Sequence, residues 1–362
     1  MFAGLYSGRR ILLTGHTGFK GSWLSLWLQK LQASVLGLSL PPEEGASHFA
    51  LLRLNLQSKY ADISDFQSLR DIVCSFQPEL IFHLAAQSLV RKSYHQALQT
   101  IRSNVLGTAN LLEAARHCES LRGIVVVSSD KCYANQEKTE GYREEEPLGG
   151  YDPYSASKAC AEILTGSWRD SFFNLADYGQ KHRVLVASAR SGNVIGGGDW
   201  AEDRIVPDLM RSAISKQALN LRCPRAVRPW QHVLEALSGY LLLGQKMLAG
   251  DKLAAQAWNF GPSEKACVSV EKIARTLQRH WPEITYTCEA DPSAPHETGL
   301  LRLNCQKARK LLHWRPVWSS AESFRRCAQW YRDFYEEKRL RSEEDLTEYC
   351  QQAEQKGLAW SQ

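Results

Sequence analysis

The first half of the chain alternates short apolar runs with longer segments in which apolar residues recur every three or four positions. Residues 11–14 form a short apolar run, and Trp23, Trp27 and Leu31 lie on one face of a helix predicted over 19–31. Further strands are predicted at 35–38, 80–84, 124–127 and 184–187, and helices are predicted to begin near Asp65 and Pro153. This alternation predicts an α/β fold with a doubly wound parallel sheet.

The second part of the chain has weaker periodicity. After about Gly192, glycine, proline and arginine become frequent, as at 196–198 and 223–225. We therefore expect a smaller, loop-rich C-terminal lobe. Residues 1–190, with about 230–262, are predicted to form a dinucleotide-binding domain, and about 191–229 with 263–350 a substrate-binding lobe. The charged stretch 336–345 predicts a solvated face.

Composition and charge exclude several classes of protein. The 362 residues are 44% hydrophobic and 23% charged, which is typical of globular chains, and the net charge of +5 favours a small anionic ligand over a nucleic acid. No two of the ten cysteines have the C-x-x-C spacing of a metal site, so we expect no metal and a reducing compartment. Neither a signal peptide nor a membrane span is predicted, which favours the cytoplasm.

A glycine-rich turn follows the first predicted strand, and it reads Thr14-Gly15-His16-Thr17-Gly18-Phe19-Lys20-Gly21. Glycines allow a sharp turn and a close approach of the backbone to a pyrophosphate, and the following helix offers free N–H groups to the phosphates. The turn predicts a dinucleotide site. The second strand is followed by Ser39, Pro41 and Pro42, where an acid often binds the ribose of NAD, so these residues leave NAD and NADP open.

Two polar clusters indicate chemistry. Tyr154 and Lys158 are one helical turn apart, and an ammonium beside a phenol would favour the phenolate, which could then remove the proton of a sugar hydroxyl. Ser129, Asp130 and Lys131 follow the strand at 124–127, and ligands of parallel sheets bind at the carboxyl ends of strands. We predict that both clusters face the dinucleotide.

These motifs, with His83-Leu84-Ala85-Ala86-Gln87, the segment 192–200 and the segment 228–232, resemble the NAD-dependent sugar-nucleotide dehydratases and epimerases of the extended short-chain dehydrogenase/reductase superfamily. The resemblance implies a Rossmann-type fold, NAD as cofactor and a homo-oligomer, either a dimer or a tetramer. It implies cofactor contacts from Gly15, Thr17, Gly18, Phe19, Lys20, Gly21, Asp62, Ile63, Leu84, Ala85, Ala86, Gln87, Asn104, Tyr154 and Lys158. It implies substrate contacts from Gln87, Asn193, Arg204, Arg228 and His296.

Relatives of this kind usually carry Thr-Asp-Glu where this chain has Ser129-Asp130-Lys131, and lysine at the third position is similar to the branch that acts on CDP-glucose. The resemblance implies conversion of CDP-D-glucose to CDP-4-dehydro-6-deoxy-D-glucose and water, in deoxysugar synthesis for lipopolysaccharide. Ser129 would bind the 4-hydroxyl and Asp130 would be the acid, while the base for the C5 proton is Lys131 or another group. Another nucleotide-sugar dehydratase, a 4-epimerase and a non-catalytic dinucleotide-binding protein are the alternatives.

Overall fold

The computed structural model describes residues 1–42, 45–262, 267–289 and 299–362. Its strands are β1 (Arg10–Thr14), β2 (Ser34–Ser39), β3 (Gln57–Tyr60), β4 (Leu80–His83), β5 (Gly123–Val127), β6 (Leu185–Ser191), β7 (Val194–Ile195), β8 (Leu219–Asn220), β9 (Val227–Pro229), β10 (Gln231–His232), β11 (Ala257–Phe260), β12 (Cys267–Ser269) and β13 (Tyr286–Thr287).

Its helices are α1 (Phe19–Lys30), α2 (His48–Leu52), α3 (Phe66–Phe76), α4 (Val90–His95), α5 (Ala97–Ile101), α6 (Gly107–Ala115), α7 (Pro153–Ser171), α8 (Ile205–Ser215), α9 (Val233–Leu248), α10 (Val270–His280), α11 (Gln306–Leu311), α12 (Ser320–Glu336) and α13 (Ser342–Gln355). A π-helical segment, Arg102–Leu106, joins α5 to α6, and 3₁₀ turns occur at Phe2–Gly4, Asp130–Cys132 and Lys252–Ala254. Within the residues that the structure describes, no helix is long and apolar enough to cross a membrane.

In the described ranges, seven parallel strands form the central sheet in the order β11-β6-β5-β4-β1-β2-β3. Leu12 of β1 pairs with Leu36 on one side and Ile81 on the other. One apolar cluster packs α3 and α6 on the face that includes Leu12, and a larger one packs α1 and α9 on the opposite face. The doubly wound parallel sheet predicted from the sequence is confirmed.

Local signals place several element boundaries. Asp65 and Asp152 cap α3 and α7 by accepting hydrogen bonds from the backbone N–H groups of Ser68 and Ser155. The helix predicted over 19–31 runs from Phe19 to Lys30. The pattern did not predict β3, because this edge strand is mostly exposed and its residues are polar. The pattern also did not predict β11, which lies at the opposite edge of the sheet and pairs with β6.

The C-terminal helices pack against elements from both parts of the chain: α13 contacts α1, and α12 contacts α8 and α10. Tyr349 of α13 contacts Trp27 of α1 edge to face, at 5.6 Å between ring centroids. The expected solvated face at 336–345 is wrong at Ser342 and Asp345, which are buried. Asp345 pairs with Arg326 of α12 at 3.3 Å, so its charge is compensated inside the protein.

Candidate active site

A cleft of about 1460 Å³ lies at the carboxyl ends of β1, β4, β5 and β6. One wall consists of the glycine turn and the residues that follow β4 and β5. The other wall comes from the second part of the chain, including Asn193, Arg204 and Arg228. Apart from Asn104 and His296, every site residue predicted from the sequence borders this cleft: Gly15, Thr17, Gly18, Phe19, Lys20, Gly21, Asp62, Ile63, Leu84, Ala85, Ala86, Gln87, Ser129, Asp130, Lys131, Tyr154, Lys158, Asn193, Arg204 and Arg228.

The glycine turn is tight enough to require glycine at two positions. Gly15 has a φ of +76°, and a Cβ there would lie 2.7 Å from the backbone nitrogen of Ala85. A Cβ at Gly21 would lie 2.0 Å from the carbonyl oxygen of Gly15. Gly18 caps α1 without a side chain, and the first turn of α1 has no acidic residue. The open N–H groups of this turn therefore suit the phosphates of a dinucleotide.

The end of the cleft beside β2 and β3 is lined by polar side chains. Thr17 Oγ1 and Ser39 Oγ are hydrogen-bonded at 2.8 Å, and Ser39 Oγ lies 3.2 Å from His16 Nδ1. Burial lowers the pKa of His16 to about 4, so its ring is neutral at physiological pH. Asp62 borders the same end and accepts a hydrogen bond from the backbone N–H of Ser64 at 2.8 Å.

Tyr154, Ser129 and Asp130 form a buried group at the end of β5. Ser129 donates to Asp130 Oδ1 at 3.0 Å, and Ser129 also lies near enough to Tyr154 to lower the pKa of its hydroxyl. Asp130 is 2% exposed, and within the described ranges its Oδ2 has no hydrogen-bond partner. Burial raises the pKa of the Asp130 carboxyl, and the opposing effects of Lys131, Ser129, Arg228 and Lys20 are smaller. This carboxyl is therefore suited to hold a proton.

The tyrosine and lysine pair behaves differently from the expectation drawn from spacing. Burial raises the pKa of Tyr154 to about 12, although Ser129 and the charge of Arg204 favour the phenolate. Lys158 Nζ donates to the carbonyl oxygen of Val127 at 3.3 Å. Burial lowers the pKa of Lys158 to about 8. Burial thus keeps Tyr154 protonated at neutral pH, and the charge that favours its phenolate comes more from Arg204 than from Lys158.

Arg204 crosses the cleft. Its Nη1 donates to Asp199 Oδ2 at 2.9 Å in the second part of the chain, and its Nη2 donates to Ser88 Oγ at 2.8 Å beyond β4. Arg228, on β9, is buried and donates to the carbonyl oxygens of Val227 and Gly299. Two guanidinium groups therefore border one cavity, an arrangement that matches a diphosphate.

Among the predicted contacts that lie within the described residues, Asn104 does not border the cleft. Asn104 is buried behind it, where its side chain accepts from the backbone N–H of Gln87 at 2.8 Å and donates to Ser157 Oγ at 2.8 Å. Its amide thus positions the chain after β4, and its predicted direct contact with the cofactor stays a prediction. His296 lies outside the described residues.

Sequence reasoning missed several cleft residues, among them the arginines Arg91 and Arg222. Arg91 and Arg222 both donate to Asp203 Oδ1, at 2.9 and 2.7 Å, and all three residues border the cleft. The sequence does contain a signal for Arg91, because Arg91 lies on the first turn of α4, shortly after β4 and the predicted binding residues 84–87. Arg222 has no such signal, because only the fold brings its loop to the cleft.

Comparison with known proteins relates most of the chain to one family of enzymes. The family model described as GDP-mannose 4,6 dehydratase matches residues 12–327. A CDP-glucose 4,6-dehydratase of Salmonella typhimurium is 44% identical over 95% of this chain and 97% of its own length.

Solved structures show the same fold. The dTDP-glucose 4,6-dehydratase DesIV of Streptomyces venezuelae, solved with NAD bound, has a TM-score of 0.75 at 23% identity over 90% of this chain and 97% of its own. A UDP-glucose 4-epimerase of Thermotoga maritima has a TM-score of 0.75 at 19% identity, over 90% of this chain and 100% of its own. Because the family model and the Salmonella relative both cover most of the chain, this protein belongs to the GDP-mannose 4,6 dehydratase family of sugar-nucleotide enzymes.

Proposed function

We propose that the chain is an NAD-dependent CDP-glucose 4,6-dehydratase that forms CDP-4-dehydro-6-deoxy-D-glucose and water. The observation that carries the proposal is the buried carboxyl of Asp130, beside Ser129 and Tyr154 in one cleft. A 4-epimerase needs no acid for a leaving hydroxyl, whereas a dehydratase does. The 44% identity to the Salmonella enzyme supports CDP-glucose as the substrate.

NAD, when bound along the glycine turn, supplies the hydride acceptor at C4 and the hydride donor at C6. Tyr154 takes the proton of the 4-hydroxyl, and Ser129 donates a hydrogen bond to the same oxygen when its hydroxyl proton turns from Asp130 to the sugar. Lys158, one turn further along α7, would add a positive charge near the sugar and Tyr154, which would oppose the burial that raises the pKa of Tyr154 to about 12. These residues lie at the carboxyl ends of β5 and on the first turns of α7, so rigid elements position them.

A 4-ketone makes the C5 proton acidic, which allows the elimination step. The C5–H bond breaks and its electron pair forms the C5–C6 double bond, while the C6 hydroxyl leaves with a proton from Asp130 as water. Burial keeps Asp130 protonated to a higher pH than an exposed carboxyl, as this step requires. Lys131 is the proposed acceptor of the C5 proton, and its backbone N–H donates to Ser129 Oγ at 3.2 Å.

The second part of the chain is proposed to bind the sugar nucleotide. Arg204 and Arg228 would bind the diphosphate, Asn193 the sugar, and Gln87 and His296 further substrate atoms. Residues 1–190 with about 230–262 would form the NAD-binding domain, because β11 extends the sheet and α9 covers one face of it. About 191–229 and 263–350 would form the lobe that closes over the substrate.

We further propose a homodimer, or a tetramer built from such dimers. Leu98 and Leu106 on the segment from α5 to α6, and Ile163 on the neighbouring α7, are exposed apolar residues at 86%, 47% and 58%. A second copy could cover them through paired helices. A cytoplasmic location is supported by the cysteines, which form no disulfide within the described residues. The product would enter deoxysugar synthesis for lipopolysaccharide.

The test is a product assay with each nucleoside diphosphate glucose, following the absorbance of a 4-keto-6-deoxy sugar in alkali. We expect CDP-glucose to give this product faster than any other nucleoside diphosphate glucose. Asp130→Asn should still oxidise C4 but should eliminate water slowly, so the absorbance of reduced nicotinamide should accumulate in a single turnover. A 4-epimer as product, or equal slowing of both half-reactions in Asp130→Asn, would contradict the proposal.

A further inference from the structure

Glu162, one helical turn after Lys158 on α7, is a buried carboxylate that the proposed reaction does not use. Residues four apart lie on the same face of a helix, and Lys158 and Glu162 are only 7% and 5% exposed. Lys158 Nζ donates to the carbonyl oxygen of Val127 at the end of β5. Glu162 Oε2 accepts a hydrogen bond from Ser188 Oγ of β6 at 2.6 Å. The two opposite charges therefore lie close together between α7 and the sheet.

Arg190 of β6 binds one of the two carboxylate oxygens of Glu162. Arg190 Nη2 donates to Glu162 Oε2 at 2.8 Å. Arg190 Nη1 donates away from this carboxylate, to the hydroxyl of Tyr133 at 2.8 Å and to the carbonyl oxygen of Glu144 at 2.9 Å. Within the described ranges, Glu162 Oε1 is buried and has no hydrogen-bond partner. A buried carboxylate needs compensating positive charge, so Glu162 can interact with Lys158 as well as with Arg190.

The charge of Lys158 depends on this carboxylate. Burial lowers the pKa of Lys158 to about 8, and Glu162 is the largest effect that opposes burial, ahead of Cys132. Burial raises the pKa of the Cys132 thiol well above its ordinary value, so this thiol is uncharged near pH 7. Without the charge of Glu162, the pKa of Lys158 would fall further, and the amine would lose its proton near neutral pH.

Other titratable groups of this region are His83 of β4, Lys20 of α1, Asp130 after β5 and Tyr154 of α7. Burial leaves the imidazole and the phenol uncharged near neutral pH, because it lowers the pKa of the first to about 3 and raises that of the second to about 12. Burial also raises the pKa of the aspartic acid, and the second lysine adds a like charge. The charge that balances Lys158 therefore comes from Glu162.

We propose that Glu162 is a positioning residue that keeps Lys158 in its charged form at neutral pH. This inference rests on the proposed function for the task of Lys158 and goes beyond it. A charged Lys158 opposes the burial of Tyr154 and attracts the dinucleotide, whereas a neutral amine would do neither. Glu162 acts from behind the cleft, because it is not among the described residues that border it.

The first measurement follows Lys158 itself, without cofactor or substrate. Acetic anhydride acylates only uncharged amines, so the labelling rate of each lysine between pH 6 and 9.5, measured by mass spectrometry of its peptide, gives its titration. Lys158 of the wild-type protein should titrate near pH 8. In Glu162→Gln the midpoint should fall by at least about one pH unit, because a charge a few ångströms away changes a pKa by about 1–3. Lys92, exposed at the rim of the same cleft, is the internal reference.

Three further variants separate charge from packing. Glu162→Asp keeps a carboxylate, and Lys158 should titrate near the wild-type midpoint. Glu162→Gln combined with Arg190→Met removes both charges of the ion pair, which leaves no unpaired guanidinium in the core, and it should still lower the midpoint. Glu344→Gln is the matched control, because Glu344 also pairs with an arginine, Arg339, at 2.7 Å but at the protein surface. It should behave as the wild-type protein does.

The second measurement is the pH profile of C4 oxidation, followed by the absorbance of reduced nicotinamide in a single turnover. Glu162→Gln and the wild-type protein should agree near pH 6, where Lys158 is charged in both. They should differ roughly tenfold at pH 8.5, where a fall of one pH unit in the midpoint leaves about a tenth of the charged form. A merely structural role of Glu162 would lower the rate by the same factor at every pH.

An unchanged Lys158 midpoint in Glu162→Gln would overturn the inference, and so would an equal fall in Glu162→Asp. If Glu162→Gln does not fold, the double variant decides, and a wild-type midpoint in that variant would contradict the role of Glu162. The labelling needs neither NAD nor turnover. Failure to dehydrate CDP-glucose would contradict the proposed function, while the titration of Lys158 would still test Glu162.

Discussion

Ser129 and Tyr154 on one wall of the cleft, and Arg204 and Arg228 on the other, are placed by different kinds of structure. The first pair lies directly after β5 and on the first turn of α7, where the strand end and the helix cap are local. The second pair lies on a helix N-cap and a three-residue strand in a region of short elements.

The second wall depends on residues far along the chain. A Cβ at Gly197 would lie 1.9 Å from Cδ2 of Trp330, and Tyr331 accepts a hydrogen bond from the backbone N–H of Asp199 at 2.9 Å. Asp199 in turn pairs with Arg204. The position of Arg204 is therefore set by α12. This difference implies that chemistry and substrate binding can be altered separately.

The largest effect is expected at Tyr154. Tyr154→Phe removes only the hydroxyl, so the fold and NAD binding should be kept while turnover with CDP-glucose falls roughly 10²- to 10⁴-fold. Steady-state kinetics measure the turnover, and calorimetric titration with NAD⁺ is the control for cofactor binding. Wild-type turnover in this variant would show that another group removes the 4-hydroxyl proton.

Lys131→Met tests the wall that carries Ser129 and Tyr154, at the elimination step. If Lys131 accepts the C5 proton, solvent deuterium exchange at C5 should fall about 10²-fold, while C4 oxidation, followed by the absorbance of reduced nicotinamide, should be nearly unchanged. Mass spectrometry of the sugar measures the exchange. Exchange at the wild-type rate would leave Lys131 an electrostatic role and assign the proton to another acceptor.

Arg204→Met tests the opposite wall. Loss of charge-assisted hydrogen bonds to a diphosphate should raise the KM for CDP-glucose roughly 10- to 100-fold, with a smaller change in kcat. Arg225→Met is a suitable control, because Arg225 is exposed and does not border the cleft. A fall in kcat at constant KM would mean that the two walls are not separable.

The smallest effect concerns stability and involves both regions. Burial lowers the pKa of His48, His83 and His232 to about 3 and that of His16 to about 4, against an unfolded value near ~6.5. The unfolded chain therefore binds more protons below pH 6.5, and stability should fall progressively from there towards the folded pKa values.

Buried acids, Asp130 among them, oppose this trend. The pKa of Glu235 is raised to about 7 and that of Asp345 to about 6, both by burial, so each favours the folded state as pH falls from its folded pKa towards the unfolded value. The pKa of each of His48, His83 and His232 is lowered further than those of the two acids are raised, and the urea midpoint should be lower at pH 5 than at pH 7.5. A midpoint that rises on acidification would mean that the carboxyls dominate.

The sequence alone determined the features that local geometry encodes. The spacing of Gly15, Gly18 and Gly21, the helical turn between Tyr154 and Lys158, and the strand ending at Ser129 each depend on a few neighbouring residues. Hydrogen-bond periodicity and helix caps act over such distances, so these patterns predicted the sheet and one wall of the cleft.

Only the tertiary structure decided how distant segments meet. It brought Arg91 and Arg222 together on Asp203, buried Asn104 between Gln87 and Ser157, and buried Asp345 in a stretch whose charges predicted a solvated face. It also surrounded Lys20 with Lys158 and Arg204 and raised the pKa of Tyr154 by burial. Burial and electrostatic environment depend on every segment packed around a residue, and no local pattern contains them.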